Sequence, residues 1–297
     1  MKVGFIGLGA MGLPMAKNVV KHGHQLYTMV HRNPAPGEEM QKLGAVLLET
    51  PAAIAEASDV VITIVPADAQ LKEVVLGPNG LKEGLSAGKA LIDMTSATGL
   101  TLSEIERELS GMDIDLLDAP VSGGTPKAAS GELTIIVGGK SSILETYREL
   151  LETMGSSIYH VGPIGSAKVV KMVNQLMAAI HILTIGEAFA LGKKAGADVR
   201  MMYEVIKDSS GYSRMMDLRL PGFLMEGKFE PGFTLDLMKK DVGLATDSAE
   251  KLDIPLQLGS LAMKLFQEAS DRGRGVADFS ASADYLANLA GVSLASD

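Results

Sequence analysis

The chain has 297 residues, of which 46% are hydrophobic and 21% charged, and its 27 basic and 36 acidic residues give a formal net charge of -9. Domains commonly contain about 100–200 residues, so this length suggests two domains, and the composition excludes a disordered chain. The acidic balance argues against binding to a nucleic-acid backbone. The absence of cysteine excludes disulfides and thiolate chemistry, and it favours an intracellular, cytoplasmic location.

Two apolar stretches were considered as targeting or membrane segments. The run after Lys2 is interrupted by glycines and by Pro14 and has no cleavage site, so we interpret it as mature protein. The second, between Lys171 and Glu187, has fifteen residues, four of them polar. A spanning helix needs roughly 20 apolar residues, so we expect a soluble protein without a membrane partner.

Short apolar runs alternate with helix-like segments through the first half of the chain, which is typical of βαβ units in a parallel sheet. A helix is predicted near 142–154, and the last strand is followed by a change to purely helical periodicity. The sequence thus predicts an α/β domain over residues 1–163 and an all-α domain over residues 164–297. The predicted strands are 2–6, 25–30, 60–65, 90–94, 116–121, 133–137 and 157–161.

Residues 166–195 are predicted to form one long helix that joins the two domains. Apolar side chains occupy nearly every angular position around it, which is the pattern of a helix buried on most sides. A surface helix with one apolar face would need more polar residues than this segment contains. We therefore expect a long buried helix.

A glycine-rich motif, G-x-G-x-x-G, follows the first predicted strand and opens a helix. It consists of Gly7, Leu8, Gly9, Ala10, Met11 and Gly12. Without the strand an ordinary turn would be the better interpretation, but in this context the motif predicts a dinucleotide site. Gly7 permits the tight turn, Gly9 lets the backbone approach a pyrophosphate, and Gly12 allows close helix packing. The helix N-terminus adds partial positive charge.

The second predicted strand ends in His31, Arg32 and Asn33, and no acidic residue occurs before Glu38. An acid at this point would hold the 2′-hydroxyl of NAD, whereas an arginine pairs with the 2′-phosphate of NADP. The charge pattern therefore favours NADP(H), with NAD(H) possible. The alternative interpretation is that Arg32 is a solvated surface residue.

Polar or glycine-containing segments also follow later predicted strands. The carboxyl ends of parallel strands meet at one edge, where open α/β sheets bind ligands, so we expect these segments to line one crevice. The serine-glycine-glycine segment offers a hydroxyl and uncovered N–H groups to a substrate carboxylate, although a plain turn is the alternative. The segments are Val65-Pro66, Thr95-Ser96 and Ser122-Gly123-Gly124.

Lys171 is a charged residue within the long apolar helix, and Asn174 and Gln175 lie on its face, three and four positions on. Burial lowers a lysine pKa and a bound carboxylate raises it again, so Lys171 is a candidate proton donor and acceptor. Lys168 is the alternative, but it lies nearer the helix start, where we expect solvent. No histidine pair has metal-ligand spacing with a carboxylate, so no metal site is predicted.

Four motifs together resemble the β-hydroxyacid dehydrogenase family. They are GFIGLGAMGLPMAKN at 4–18, DAPVSGG at 118–124, GPIGSAKVVKMVNQ at 162–175 and the pair Lys240-Asp241. They occur in order across nearly the whole chain, which makes them far more specific than a glycine motif alone.

The resemblance implies an N-terminal Rossmann domain, a helical C-terminal domain and hydride transfer between a nicotinamide cofactor and a small 3-hydroxy acid or its semialdehyde. It places the catalytic lysine at Lys171 and implies cofactor contacts from Ser96 and Lys240. At His31 this chain departs from NAD-preferring relatives, which often carry aspartate there, while NADPH-using relatives carry a similar Asn-Arg pair. The implied substrate contacts are Asn174, Ser122, Gly123 and Gly124.

Two other functions were weighed. An imine reductase on the same scaffold is disfavoured because that group typically lacks the catalytic lysine. A non-catalytic NAD(P)-binding module would need neither Lys171 nor the serine-glycine-glycine segment. The expected partners are a small carboxylate-bearing aldehyde or hydroxy acid and further copies of the chain, as a homodimer or homotetramer that completes the surface of the small helical domain.

Overall fold

The computed structural model describes residues 1–295. The chain divides into two compact units, which we call unit one (Met1–Lys171) and unit two (Met172–Asp297). The sequence interpretation places the domain boundary between residues 163 and 164, ahead of the long helix. In the structure the first turns of that helix belong to unit one.

Unit one is an α/β domain. Its strands are β1 (Lys2–Ile6), β2 (Gln25–Thr28), β3 (Val46–Leu47), β4 (Val60–Thr63), β5 (Ala90–Asp93), β6 (Asp115–Asp118), β7 (Val121–Ser122), β8 (Thr134–Gly139) and β9 (Ser157–Gly162). Its helices are α1 (Gly12–Lys21), α2 (Ala35–Lys42), α3 (Pro51–Ala57), α4 (Asp68–Leu76), α5 (Leu81–Gly84), α6 (Gly99–Leu109), α7 (Gly124–Ser130) and α8 (Ser141–Glu152).

The strands form one sheet in the order β3-β2-β1-β4-β5-β6-β8-β7, with β9 paired to β8. The pairs from β3 through β6 are parallel, and the order 3-2-1-4-5-6 is that of a Rossmann fold, which confirms the predicted fold class. Chain order reverses at β1, between β2 and β4. The carboxyl ends of these strands therefore flank the point where such sheets bind ligands.

The sheet differs from the prediction in three details. β8 runs antiparallel to both β6 and β7, so the sheet is not wholly parallel. The predicted strand 116–121 is two strands, because Ala119 and Pro120 separate β6 from β7 and proline has no N–H to donate to a sheet ladder. The two-residue strand β3 was not predicted.

The central strands are buried on both faces, as in other parallel sheets covered by helices. β4 and β5 are buried at every position. Alternate residues reach opposite sides, so Ile62 and Ile92 join one apolar cluster with Phe5, while Val61 and Leu91 join another. These two apolar clusters pack against opposite faces of the sheet and restrain the ends of β4 and β5.

Unit two is helical, as predicted, and its described residues contain no strand. Its core includes Phe189, Leu220, Val242 and Phe266. A short π-helical turn covers Leu220–Leu224, and the segment Ser270–Arg274 contains a kink, because Arg272 and Gly273 have non-helical backbone angles. The helices are α9 (Ser166–Lys194), whose first turns lie in unit one, α10 (Val199–Lys207), α11 (Arg214–Arg219), α12 (Leu235–Lys251), α13 (Gln257–Ala269) and α14 (Ala281–Leu289).

The long helix α9 is present as predicted, but the expectation that it is buried on most sides is wrong. Only 33% of its most apolar 18-residue window is buried. Large apolar side chains on it are 42–73% exposed, namely Val169, Val170, Val173, Met177 and Leu191. The apolar residues of a helix show which of its faces are able to be buried. The number of helices and strands that pack around it in this chain decides which faces are buried.

The length argument against a membrane span also needs correction. α9 has 29 residues, and its most apolar window has a mean hydropathy of 1.4. By length and composition alone it is able to cross a bilayer. Core helices of soluble proteins meet the same weak criterion.

Candidate active site

The glycine motif lies between the end of β1 and the start of α1. Gly7 has φ +111°, and a Cβ atom there would lie 2.0 Å from the Ile64 carbonyl oxygen. A Cβ at Gly12 would lie 1.8 Å from the Gly7 oxygen, whereas none of the described residues has an atom within 4 Å of a Cβ at Gly9. Gly7 and Gly12 are thus required by the fold, and Gly9 faces open space.

This arrangement fits a dinucleotide pyrophosphate. Leu8 and Met11 are half-buried against the sheet core, which anchors the loop, while Gly9 and Ala10 are exposed. Among the described residues no side chain caps the N-terminus of α1 and no acid lies in its first turn. The helix start therefore favours an anion.

Residues 31–33, which follow β2 after the half-buried Met29 and Val30, are exposed. β2 is the neighbour of β1 in the sheet, and the glycine motif follows β1. Asn33 accepts a hydrogen bond from the Ala35 N–H through Oδ1 at 3.1 Å, which shapes the turn into α2. Arg32 is exposed, and within residues 1–295 its guanidinium makes no hydrogen bond or ion pair. His31 is also exposed. The structure thus presents a cation and no carboxylate at the end of β2.

The ends of β4 and β5 are joined by hydrogen bonds. The Val65 N–H donates to Thr95 Oγ1 at 3.1 Å, and the Thr95 N–H donates to Asp93 Oδ1 at 3.1 Å. Thr95 is fully buried, so its side chain holds the loop instead of facing outward, while Ser96 is half-buried and Pro66 exposed. These two predicted segments are brought together.

The Ser122-Gly123-Gly124 segment connects β7 to α7. Gly123 and Gly124 have φ of +139° and +71°, and a Cβ at Gly123 would lie 2.8 Å from the Lys127 side chain. This turn therefore requires glycine and is not an incidental pair. Ser122 is half-buried and Gly123 exposed, which leaves the backbone uncovered by side chains.

Asp118, at the end of β6, fixes the start of α9. Its Oδ1 accepts the Gly165 N–H at 2.9 Å and its Oδ2 accepts the Lys168 N–H at 3.1 Å. These N–H groups have no partner within the helix, so the carboxylate caps it. Burial raises the pKa of Asp118, and the Gly165 hydrogen bond opposes that shift. In the sequence Asp118 is notable only as the first residue of the motif at 118–124, and that motif does not indicate the capping role.

Lys168 is buried, with 2% of its surface exposed, so the expectation of solvent at this position is wrong. Its Nζ donates to Asp93 Oδ2 at 2.6 Å, to the Thr95 carbonyl at 2.5 Å and to the Asp93 carbonyl at 3.3 Å. An ammonium has three protons, and protein oxygens accept all three. Asp93 is not among the residues predicted from the sequence. An acidic residue at the end of a buried strand could nevertheless have indicated a buried ion pair at this position.

Lys171 lies one helical turn beyond Lys168 on α9 and is half-buried. It is the last residue of unit one. Its backbone follows directly on the first turn of α9, whose N–H groups donate to Asp118.

In unit two a series of polar contacts connects Asn174, a predicted substrate contact, with Lys240, a predicted cofactor contact. Asn174 Nδ2 donates to Gln175 Oε1 at 3.1 Å, and Gln175 Nε2 donates to Asp241 Oδ2 at 2.8 Å. Lys240 Nζ lies 2.9 Å from Asp241 Oδ1. Asn174, on α9, is therefore connected to Lys240, on α12, through two buried residues whose linking role the sequence analysis did not foresee.

No group of three or more potential ligands among His, Asp and Glu is placed to hold a metal ion in the part of the chain that the structure describes. Asp93 is instead paired with Lys168, Asp118 with backbone N–H groups and Asp241 with Lys240.

Comparison with known proteins first defines the class. Residues 2–162 match the family model of the NAD binding domain of 6-phosphogluconate dehydrogenase. Residues 165–286 match the family model described as NAD-binding of NADP-dependent 3-hydroxyisobutyrate dehydrogenase. The protein is thus an NAD(P)-dependent oxidoreductase.

The relatives then define the family. The chain is 36% identical to 2-(hydroxymethyl)glutarate dehydrogenase of Eubacterium barkeri over 296 residues, which are 99% of this chain and 97% of that protein. It is 36% identical to 2-hydroxy-3-oxopropionate reductase of Escherichia coli (strain K12), over 99% of this chain and 100% of the relative. The chain belongs to the β-hydroxyacid dehydrogenase family, as predicted, and is an oxidoreductase of the 3-hydroxy acid and semialdehyde class.

Solved structures agree. The 3-hydroxyisobutyrate dehydrogenase of Mycobacterium tuberculosis superposes with a TM-score of 0.86 at 29% identity, over 96% of this chain and 98% of that chain. An imine reductase from Streptomyces aurantiacus has a TM-score of 0.63 at 19% identity, over 95% of this chain and 98% of that chain. That likeness shows a shared fold alone, so the imine reductase alternative gains no support from it.

The open space at Gly9 yields a test of the dinucleotide site. We expect Gly9→Ala to lower the affinity for NAD(P)H at least about tenfold, because its Cβ would occupy the space through which a pyrophosphate approaches. The melting temperature of the free protein should stay unchanged, since that Cβ meets no described atom within 4 Å. Titration of nicotinamide fluorescence measures the affinity. Gly222→Ala, at another uncrowded glycine, is the control, and equal affinities for both variants would contradict the assignment.

Proposed function

We propose that this protein interconverts a short semialdehyde that carries a carboxylate, such as tartronate semialdehyde, and the corresponding 3-hydroxy acid. A bound nicotinamide cofactor supplies the hydride for reduction and accepts it in oxidation. The observation that carries the proposal is the difference in burial between two lysines one helical turn apart. Lys168 is 2% exposed and its Nζ donates to three protein oxygens, whereas Lys171 is half-buried and stands at the position of the catalytic lysine in the family motif.

The proposed roles follow from these surroundings. The Ser122 hydroxyl and the N–H groups of Gly123 and Gly124 hold the substrate carboxylate. Lys171 donates a proton from Nζ to the carbonyl oxygen as the carbon gains hydride, and it takes that proton back in oxidation. The family resemblance adds Asn174 to the substrate contacts and Lys240 to the cofactor contacts, and the Gln175–Asp241 hydrogen bond restrains both.

We further propose a preference for NADP(H) over NAD(H). Arg32 is exposed beside the dinucleotide motif, and the adjoining residues include no carboxylate to bind a 2′-hydroxyl. A guanidinium pairs bidentately with a phosphate. His31 and Asn33 are the neighbouring contacts in this proposal.

Replacement of Lys171 by Met tests the proton-transfer role. We expect kcat to fall about 10²–10⁴-fold, the usual contribution of general acid–base catalysis. The affinity for NADPH should change little, because the dinucleotide is held mainly by the glycine motif. Steady-state kinetics and fluorescence titration measure the two quantities. Lys207→Met, at an exposed lysine paired with Glu204, is the control, and wild-type turnover in Lys171→Met would overturn the assignment.

Replacement of Arg32 by Ala tests the cofactor preference. We expect NADPH binding to weaken about ten- to a hundredfold, from the loss of a charge-assisted hydrogen bond worth roughly 1.5–3 kcal/mol, with little change for NADH. His31→Asp should act in the same direction, because a carboxylate repels the phosphate and accepts a 2′-hydroxyl. The measurement is kcat/KM for both cofactors, with exposed Arg107→Ala as control. A wild type that prefers NADH, with equal effects of Arg32→Ala on both cofactors, would refute the preference.

We also propose that the protein assembles as a homodimer or homotetramer. Helices α9 and α10 carry apolar side chains that are 48–73% exposed, namely Val173, Met177, Leu191, Met201 and Val205. Several large apolar side chains left exposed on neighbouring stretches of the chain are a feature of subunit interfaces. Sedimentation velocity over a range of concentrations should show a dimer or tetramer. A stable, active monomer at low concentration would contradict this proposal.

The proposed location is cytoplasmic, without a nucleic-acid or membrane partner. Its support is the net charge of -9 and the absence of cysteine. A panel of 3-hydroxy acids and semialdehydes, assayed with NADH and with NADPH, tests which substrate of the class the protein turns over.

A further inference from the structure

The buried pair formed by Lys168 and Asp93 is a feature that the proposed reaction does not use directly. The side chains are 1% and 0% exposed. The second oxygen of Asp93 accepts the Thr63 hydroxyl at 2.8 Å and the Thr95 N–H at 3.1 Å. Both ions are therefore satisfied by hydrogen bonds, which is the condition under which charges persist in a protein interior.

The pair connects three elements of unit one. Through Asp93 and the Thr95 carbonyl, the Lys168 ammonium holds the backbone that follows β5. Through Thr63, and through the hydrogen bond from the Val65 N–H to Thr95, the contacts extend to the end of β4. Lys168 itself belongs to the first turn of α9.

A requirement for stability alone does not explain the charges. An apolar pair of similar volume is often as stable as a buried ion pair, because the desolvation of two ions offsets their attraction. The ion pair adds a directional requirement that an apolar pair lacks. The ammonium must meet its carboxylate and carbonyl acceptors at hydrogen-bond distance, so one rotation of α9 relative to the end of β5 is favoured.

We propose that Lys168 is a positioning residue that sets the Thr95–Ser96 backbone and the direction of Lys171 at once. Residues three apart on a helix lie on neighbouring parts of one face, so the rotation that seats Lys168 on Asp93 determines where Lys171 emerges. The Thr95–Ser96 backbone is the predicted cofactor-contacting segment that the same ammonium holds. The role of Lys171 in this inference rests on the proposed function, whereas the effect on cofactor affinity does not.

Two variants separate positioning from simple structural support. Lys168→Met leaves the buried Asp93 carboxylate without its cation, and we expect a lower melting temperature. The double variant Lys168→Met/Asp93→Asn removes both charges and keeps an oxygen for the Thr63 hydroxyl and the Thr95 N–H. We expect the double variant to recover most of the lost melting temperature. Should Lys168→Met fail to fold, the comparison is between the double variant and wild type.

The decisive measurements are made on the double variant. We expect kcat to fall at least about tenfold and the dissociation constant for NADPH to rise severalfold, because neither the loop nor α9 is held in register. KM for the carboxylate-bearing substrate should stay near its wild-type value, since Ser122 and the two glycines make no contact with Lys168. Lys89→Met is the matched control, because Lys89 precedes the same strand and its Nζ also donates to backbone carbonyls, those of Ala55 and Glu56.

The outcomes are distinct. Wild-type kcat and NADPH affinity in the double variant, with its melting temperature restored, would show that Lys168 is only structural and would overturn the inference. An equal loss of cofactor affinity in Lys89→Met would overturn it too. NADPH binding is measured without substrate. If wild type turns over no hydroxy acid and the double variant still loses affinity, the proposed function fails while the positioning of the Thr95–Ser96 segment is supported.

Discussion

Two buried aspartates, Asp93 and Asp118, connect the start of α9 to the carboxyl edge of the sheet, and the candidate site depends on that connection. Asp118 accepts two N–H groups from the first turn of the helix, and Asp93 pairs with the Lys168 ammonium. One contact holds the backbone and the other holds a side chain, so the helix is restrained both along and around its axis. In the positioning that we propose, these restraints determine where Lys171 lies.

The pairing also assigns different chemistry to two lysines that look alike in the sequence. An ammonium whose three protons are held by protein oxygens is a fixed structural charge, because a change in its protonation would leave buried acceptors without donors. Lys168 is in that state. Lys171 is half-buried, and it is the lysine that we propose as proton donor. Burial, more than residue type, distinguishes the surroundings of the two lysines.

The dinucleotide motif is positioned by backbone geometry instead of charge. Gly7 and Gly12 are packed so closely that a Cβ at either would overlap main-chain atoms, whereas Gly9 borders open space. The fold therefore needs the first and third glycines even without a ligand, whereas the fold places no such demand on the second. The strand order, which reverses at β1, places this motif at the point of the sheet where the helices on its two faces diverge.

The sequence by itself determined the alternation of strands and helices, the dinucleotide motif and the family, since each depends on local periodicity or on motif spacing. It did not reveal the interruption at Ala119-Pro120 or the antiparallel β8, because strand pairing is decided between distant segments. The apolar pattern of α9 predicted a buried helix, yet Val173, Met177 and Leu191 are exposed, since the pattern does not state how many elements pack around it. The burial of Lys168 and the capping by Asp118 were likewise decided by tertiary structure. Both join residues at least 47 positions apart in the chain, and only the packing of helix against strand ends brings such residues within hydrogen-bond distance.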